Sequence, residues 1–69
     1  MISAIQIRMS KAALGVSNRD IQKLTGLHFN TINRAENGLG KAGSLLLIKT
    51  ALEAQGVEFI DADTVRFLH

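Results

Sequence analysis

The sequence predicts a small, mainly α domain in which four short helices are followed by a C-terminal β-hairpin. Three observations carry that expectation. Apolar residues recur at helical spacing in pieces separated by glycines, and no proline punctuates the chain. Ser17 and Ser44 stand at capping positions ahead of two of these pieces. The last stretch, VEFIDADTVRF, abandons the helical period for alternation on both sides of an Asp-Ala-Asp turn. With 69 residues, 46% of them hydrophobic and 20% charged, the chain allows one folded domain, residues 1–69, with a small core.

The first helix is expected over residues 3 to 14, with Ile5, Met9, Ala12 and Ala13 facing inward and Gly15 as its stop. The next segment, VSNRDIQKLTG, opens with Ser17 as N-cap and Asp20 three residues on, a variant of the capping box whose usual third partner is Glu or Gln. Ile21, Leu24 and Thr25 form its inward face, and Gly26 ends it after about two turns. A third short helix follows in LHFNTINRAENG, with Leu27, Thr31, Ile32 and Ala35 inward and Asn37-Gly38 as an exit suited to left-handed backbone angles. SLLLIKTALEAQG supplies the fourth, capped by Ser44, with Leu45, Ile48, Ala51 and Leu52 on one stripe. In the hairpin, a turn at 61–63 pairs Phe59 with Val65, Val57 with Phe67 and Glu58 with Arg66. That register gathers the four apolar side chains on one face and the opposite charges on the other, and a slip of one residue scatters both.

Charge is unevenly distributed. Formal net charge is +2, yet residues 1 to 50 set Arg8, Lys11, Arg19, Lys23, Arg34, Lys41 and Lys49 against only Asp20 and Glu36, whereas residues 51 to 69 set Glu53, Glu58, Asp61 and Asp63 against Arg66. A basic front and an acidic tail point to a polyanion for the first part and a different task for the last, although a solvated mixed surface accounts for the charges alone equally well. The chain has no cysteine, which removes disulfides, thiolate zinc sites and cysteine nucleophiles. Its two histidines, His28 and His69, belong to no Ser/His/Asp or paired-carboxylate spacing, so no enzyme activity, cofactor or metal site is expected. The opening MISAIQIRMSKAALG carries Arg8 and Lys11 inside its apolar pattern and lacks the continuous run of a signal peptide or span, so a soluble cytoplasmic protein without a membrane partner is expected.

Two short helices joined at a glycine, the second opening with polar residues, have the form of a helix-turn-helix, whose second helix enters the DNA major groove. The run from Ser17 to Gly38, with its S-x-x-[DE]-[IL] opening, turn glycine, Thr-Ile in the third helix and E-N-G close, resembles the Cro and phage-repressor (XRE-type) family of transcriptional regulators. The following ALEAQGVEFID resembles the tail of a compact bacterial and phage subgroup, so the likeness extends over roughly residues 5 to 61. The resemblance implies a lambda-repressor-like four-helix fold with the helix-turn-helix at about 17–38, and a regulator of bacterial or phage origin that reads double-stranded DNA.

Carried over to this sequence, the resemblance places base-reading side chains at Phe29, Asn30, Asn33 and Arg34 and phosphate-gripping ones at Asn18 and Asn37. The residue types suit those tasks, since asparagine pairs bidentately with adenine, arginine with guanine, and an aromatic ring packs on a thymine methyl. Plainer roles stay open for each: a helix cap for Asn37, a helix-start residue for Asn30, solvated side chains for Asn33 and Arg34, core for Phe29. His28 replaces the small capping hydroxyl usual in the family, which leaves that cap unsupported and offers phosphate contact or simple exposure instead. Gln22 stands where the family has a small residue, and Ala35 is the candidate to give it room. Arg19, Lys23, Arg34 and Lys41 flank the recognition helix as candidates for phosphate contact. Arg8 and Lys11 read as a solvated helix face, and Lys49 fits either role.

A helix-turn-helix of this size reads one half-site, and useful specificity requires a second copy about 34 Å away on the same face of the DNA. A palindromic operator and a homodimer are therefore expected. The fourth helix and the hairpin at about 57–68 are the candidate interfaces, the hairpin with Val57, Phe59, Ile60, Val65, Phe67 and Leu68, by strand addition or by packing of exposed apolar side chains. Covering the core of a small domain is the competing role of the same hairpin. The acidic, apolar tail also leaves room for a regulatory protein partner, or for an antitoxin or protein-binding adaptor on the same fold.

Overall fold

The computed structural model describes residues 1–68; His69, the last residue of the expected domain, lies outside the described residues. Four helices precede two strands: α1 Ala4–Leu14, α2 Asn18–Thr25, α3 Phe29–Glu36, α4 Ala42–Ala54, β1 Val57–Phe59 and β2 Val65–Phe67. This is the mainly helical domain with a C-terminal hairpin that the sequence predicts. Each helix contributes one fully buried isoleucine, Ile7, Ile21, Ile32 and Ile48, and Ile2, Ala35 and Leu52 complete the cluster. A branched Cβ leaves isoleucine few rotamers, so these four side chains pack as stiff wedges and fix how the helices sit. Burying each contributes about 1.5–3 kcal/mol. Because α3 packs on all three other helices, the core holds it from behind and leaves its opposite face to solvent.

The strands pair antiparallel in the expected register, Val57 with Phe67, Glu58 with Arg66 and Phe59 with Val65. β1 lies against α4 and β2 against α1. Arg66 Nε donates to Glu58 Oε1 at 2.9 Å, on the face opposite the apolar side chains.

Helix α1 turns a different face inward from the one its apolar spacing implies. Ile5, Met9, Ala12 and Ala13 are exposed, while Ile2, Gln6, Ile7 and Ser10 are buried. Two polar residues explain the difference, because both find partners. Gln6 Oε1 accepts from Ser3 N at 2.9 Å, and its Nε2 donates to the carbonyls of Asp61 and Thr64, the latter at 2.9 Å. Ser10 Oγ donates to Gln6 O at 2.8 Å, and Ser3 Oγ to Ala62 O at 2.6 Å. The capping box Ser3–Gln6 that starts α1 is thus also the clamp on the hairpin turn. A buried amide with its hydrogen bonds made carries little penalty, which lets Gln6 occupy a core position.

Two smaller expectations are corrected. Leu24 is 48% exposed, since Ile21 and Thr25, one turn apart, already form the inward stripe of α2. α4 begins at Ala42 with Lys41 as its N-cap and no side-chain bond there, so Ser44 sits inside the first turn rather than capping it. Gly40 marks a close approach at that entry: a Cβ at this position would lie 3.0 Å from Ala35 Cα and 2.9 Å from a Leu45 methyl, so a larger residue requires α3 or Leu45 to shift. Asn37 ends α3 with φ −103°, and Gly38 takes the left-handed conformation at φ +79°, where glycine meets no steric resistance. Gln22 is half-buried. Among the described residues, no helix is long and apolar enough to cross a membrane.

Candidate nucleic-acid interface

The frame of the α2–α3 pair comes from local chemistry. Ser17 Oγ accepts from Asp20 N at 3.2 Å, and Asp20 Oδ2 accepts from Ser17 N at 2.9 Å, so the shorter aspartate completes a capping box. The Ser17 backbone N–H, then the Ser17 hydroxyl, hold the Asp20 carboxyl below the ordinary carboxylate range; burial opposes this, and Lys23 and Arg19 add to the lowering. At the turn, Thr25 Oγ1 donates to Ile21 O at 2.7 Å and accepts from Leu27 N at 3.1 Å, while Leu27 packs on the core. One hydroxyl therefore ties the end of α2 to the chain entering α3.

The α3 cap that the replacement of a hydroxyl by His28 left unsupported is present. His28 is the N-cap, and its Nδ1 accepts from Asn30 N at 3.1 Å. A ring nitrogen that accepts carries no hydrogen, so the neutral imidazole does the capping. The ring itself is exposed.

Beyond the cap, α3 divides cleanly. Ile32 and Ala35 are buried, whereas Phe29, Asn30, Asn33 and Arg34 are all exposed, Phe29 at 48%. At about 3.6 residues per turn, Phe29, Asn33 and Asn37 form one row and Asn30 and Arg34 the next. Among the described residues, no hydrogen bond engages the side chains of Asn30, Asn33 or Arg34. Asn37 differs: its Nδ2 donates to Asn33 O at 2.8 Å and its Oδ1 accepts from Arg8 Nη2 at 3.0 Å. The helix-end role and the side-chain contact thus coexist in one residue.

Apart from Arg8, which bonds to Asn37, the cations separate into two groups. Lys11 lies 2.7 Å from Glu36, Lys49 is 3.9 Å from Glu53, and Arg66 pairs with Glu58. These pairs use every glutamate in the chain. Arg19, Lys23, Arg34 and Lys41 have no carboxylate within 4.0 Å among the described residues. Arg34 and Lys41 border one groove with Thr31 and Ser44, at the start of α4, whose first N–H groups have no side-chain cap. Positive side chains and open helix N–H groups together suit an anion.

Asn18 lies half-buried beside the groove between α1 and α2, and its Oδ1 has no partner. An amide oxygen only accepts, so a phosphate held by this residue would have to meet the Nδ2 end. The reading of a solvated face holds for Arg8, which is exposed, and is corrected for Lys11, which pairs with Glu36 through side chains only 17% and 15% exposed; both reach from α1 to the end of α3. These links span 29 and 25 residues of sequence, and no local pattern announces them.

Of the six hairpin residues proposed for dimer contact, Val57 is 2% exposed and belongs to the monomer core, because its strand position faces α4. Phe59 packs against the same core, Val65 and Phe67 are half-buried, and Ile60 and Leu68 are exposed at 48% and 53%. Among the described residues, no group of three His, Cys, Asp or Glu side chains is arranged to hold a metal ion. No family model, no curated protein and no solved structure matches this chain.

Proposed function

We propose that this chain is a sequence-specific DNA-binding transcriptional regulator that lays α3 in the major groove, acting in the cytoplasm of a bacterium or a phage-infected cell. The observation that carries this reading is the division of the cations. Lys11, Lys49 and Arg66, on α1, α4 and the hairpin, have carboxylate partners, whereas Arg19 and Lys23 on α2, Arg34 on α3, Lys41 at the start of α4 and Arg8, bonded to Asn37 at the end of α3, have none within 4.0 Å among the described residues. Asn30, Asn33 and Arg34 offer unengaged amide and guanidinium groups to base edges, and Phe29 offers a ring to a thymine methyl. Arg19, Lys23 and Lys41 supply sequence-independent attraction to phosphates, with His28 and Asn18 at the borders of the same surface.

The active species in this reading is a homodimer on a palindromic site. Ile60, Leu68 and the outer edge of β2 are the parts of the hairpin free to meet a second copy, and the exposed Ile5 and Met9 on the neighbouring α1 widen that apolar surface.

Selection of bound sites from a random DNA pool tests the proposal. A palindrome with half-sites about 34 Å apart is expected. Arg19→Ala should weaken binding to all sequences alike and lower the magnitude of the salt slope by about 0.9. Binding that is absent, or indifferent to salt, would overturn the reading in favour of a protein-binding adaptor, for which the exposed Leu46 and Leu47 of α4 would be the first surface to examine. A monomer in sedimentation, both alone and on DNA, would overturn the dimer.

A further inference from the structure

Resting on the DNA-binding reading above, we infer that Arg8, on α1 and outside the helix-turn-helix, contacts the DNA backbone beside the end of α3, with Asn37 positioning its guanidinium. Away from α2, α3 and the start of α4, the other cations are matched by carboxylates: Lys11 by Glu36, Lys49 by Glu53 and Arg66 by Glu58. Arg8 is the exception among the described residues. Its Nη2 donates to Asn37 Oδ1 at 3.0 Å, and no carboxylate of the described residues lies within 4.0 Å. A neutral amide orients a guanidinium without neutralising it, whereas a carboxylate does both. No carboxylate among the described residues therefore offsets Arg8, and its remaining N–H donors are free on an exposed side chain.

The amide is itself fixed from the other side. Asn37 Nδ2 donates to Asn33 O at 2.8 Å, which leaves Oδ1 to face Arg8. Asn37 closes the row that begins with Phe29 and Asn33, so the guanidinium prolongs that row past the C-terminal end of α3. The ligand that fits there is a phosphodiester, whose oxygens match the planar fork of donors. The phosphate contact that the resemblance placed on Asn37 then falls to Arg8, and Asn37 acts through it. A cation at this helix end also interacts favourably with the helix dipole, and the two roles differ in what they move.

Binding to a selected operator and to random duplex, measured at two salt concentrations, separates them. Arg8→Ala is expected to weaken both DNAs alike and to lower the magnitude of the salt slope by about 0.9, so that affinity falls about 3.5-fold less over a four-fold rise in salt. Arg8→Lys should keep the slope. Asn37→Ala should also keep it, since the charge remains, while weakening binding. Thermal melts of each variant establish that the chain stays folded. An unchanged slope in Arg8→Ala, with or without a lower melting midpoint, would overturn the phosphate contact. Unchanged affinity in Asn37→Ala beside a lowered slope in Arg8→Ala would overturn the positioning role alone. A wild-type chain without salt-dependent binding would overturn the DNA reading itself, whatever the variants do.

Discussion

At the junction of α1 with the hairpin, the amide of Gln6 is 1% exposed and meets Ser3 N–H and the carbonyls of Asp61 and Thr64. On the outer side of α3, the amides of Asn30 and Asn33 are exposed and meet nothing within the described residues. Both regions place amide side chains where a purely structural helix has little use for them. In the first, the amide replaces water for backbone groups that folding has buried, and its value is paid out as stability. In the second, water satisfies the amide until a ligand displaces it, so folding gains nothing and recognition can. Burial and partner, rather than residue type, assign the role.

The largest expected effect lies at the junction. Gln6→Ala removes one acceptor and two donated hydrogen bonds at a buried position, and loss of about 3 kcal/mol of unfolding free energy is expected in a urea titration. The base preference of the folded variant should match that of the wild type. A loss below about 1 kcal/mol would show that water replaces the amide and that the junction resembles the α3 surface more than its burial implies.

Asn30→Ala should behave in the opposite way. The unfolding free energy is expected to stay within a few tenths of a kcal/mol of wild type, because alanine is the better helix former. Discrimination at one base pair should fall by about 1–3 kcal/mol, read by competition between single-substituted operators. A lower midpoint with unchanged base preference would move Asn30 to the structural side of the comparison.

How much of this was legible from the sequence depends on the distance over which the deciding contacts act. The hairpin register follows from alternation and one opposite-charge pair, both within eleven residues, and the structure has that register. The capping of α2 by Ser17 and Asp20 is equally local. The inward face of α1 was not legible, because its stripe includes Gln6 and Ser10, and the partners that make Gln6 acceptable lie 55 and 58 residues away. The exposure of Asn30, Asn33 and Arg34 followed from helical period once Ile32 and Ala35 were inward, whereas the pairing of Lys11 with Glu36 is a tertiary fact with no local trace. The cap at His28 is hidden for another reason. Preferred caps are short oxygen-bearing side chains, and an imidazole nitrogen meets the same geometric need from a larger ring.

That cap supplies a smaller effect, situated between the two regions because it stabilises α3 at the edge of the exposed face. His28→Ala should lower the unfolding free energy by about 1 kcal/mol, and His28→Ser should restore most of it. If His28→Ser recovers stability but not DNA affinity, the ring contributes to binding as well as to the cap.

The smallest effect concerns Asp20, whose carboxylate caps α2 from a fully exposed position. Its interactions with Ser17 place its folded-state pKa below the ordinary value of 3.8. A depressed acid stabilises the folded chain above its unfolded-state value, and that contribution disappears as pH falls through the folded-state value. Wild type should therefore exceed Asp20→Asn in urea midpoint at neutral pH, and the gap should narrow once pH drops below 3.8. Asp61, also lowered, chiefly by the Asp63 backbone N–H, is present in both chains and cancels from the difference. A gap that stays constant with pH would mean that the amide of asparagine caps as well as the carboxylate does. The charge of Asp20 would then serve neither stability nor the basic surface around it, where a neutral residue would leave Arg19 and Lys23 freer for phosphate.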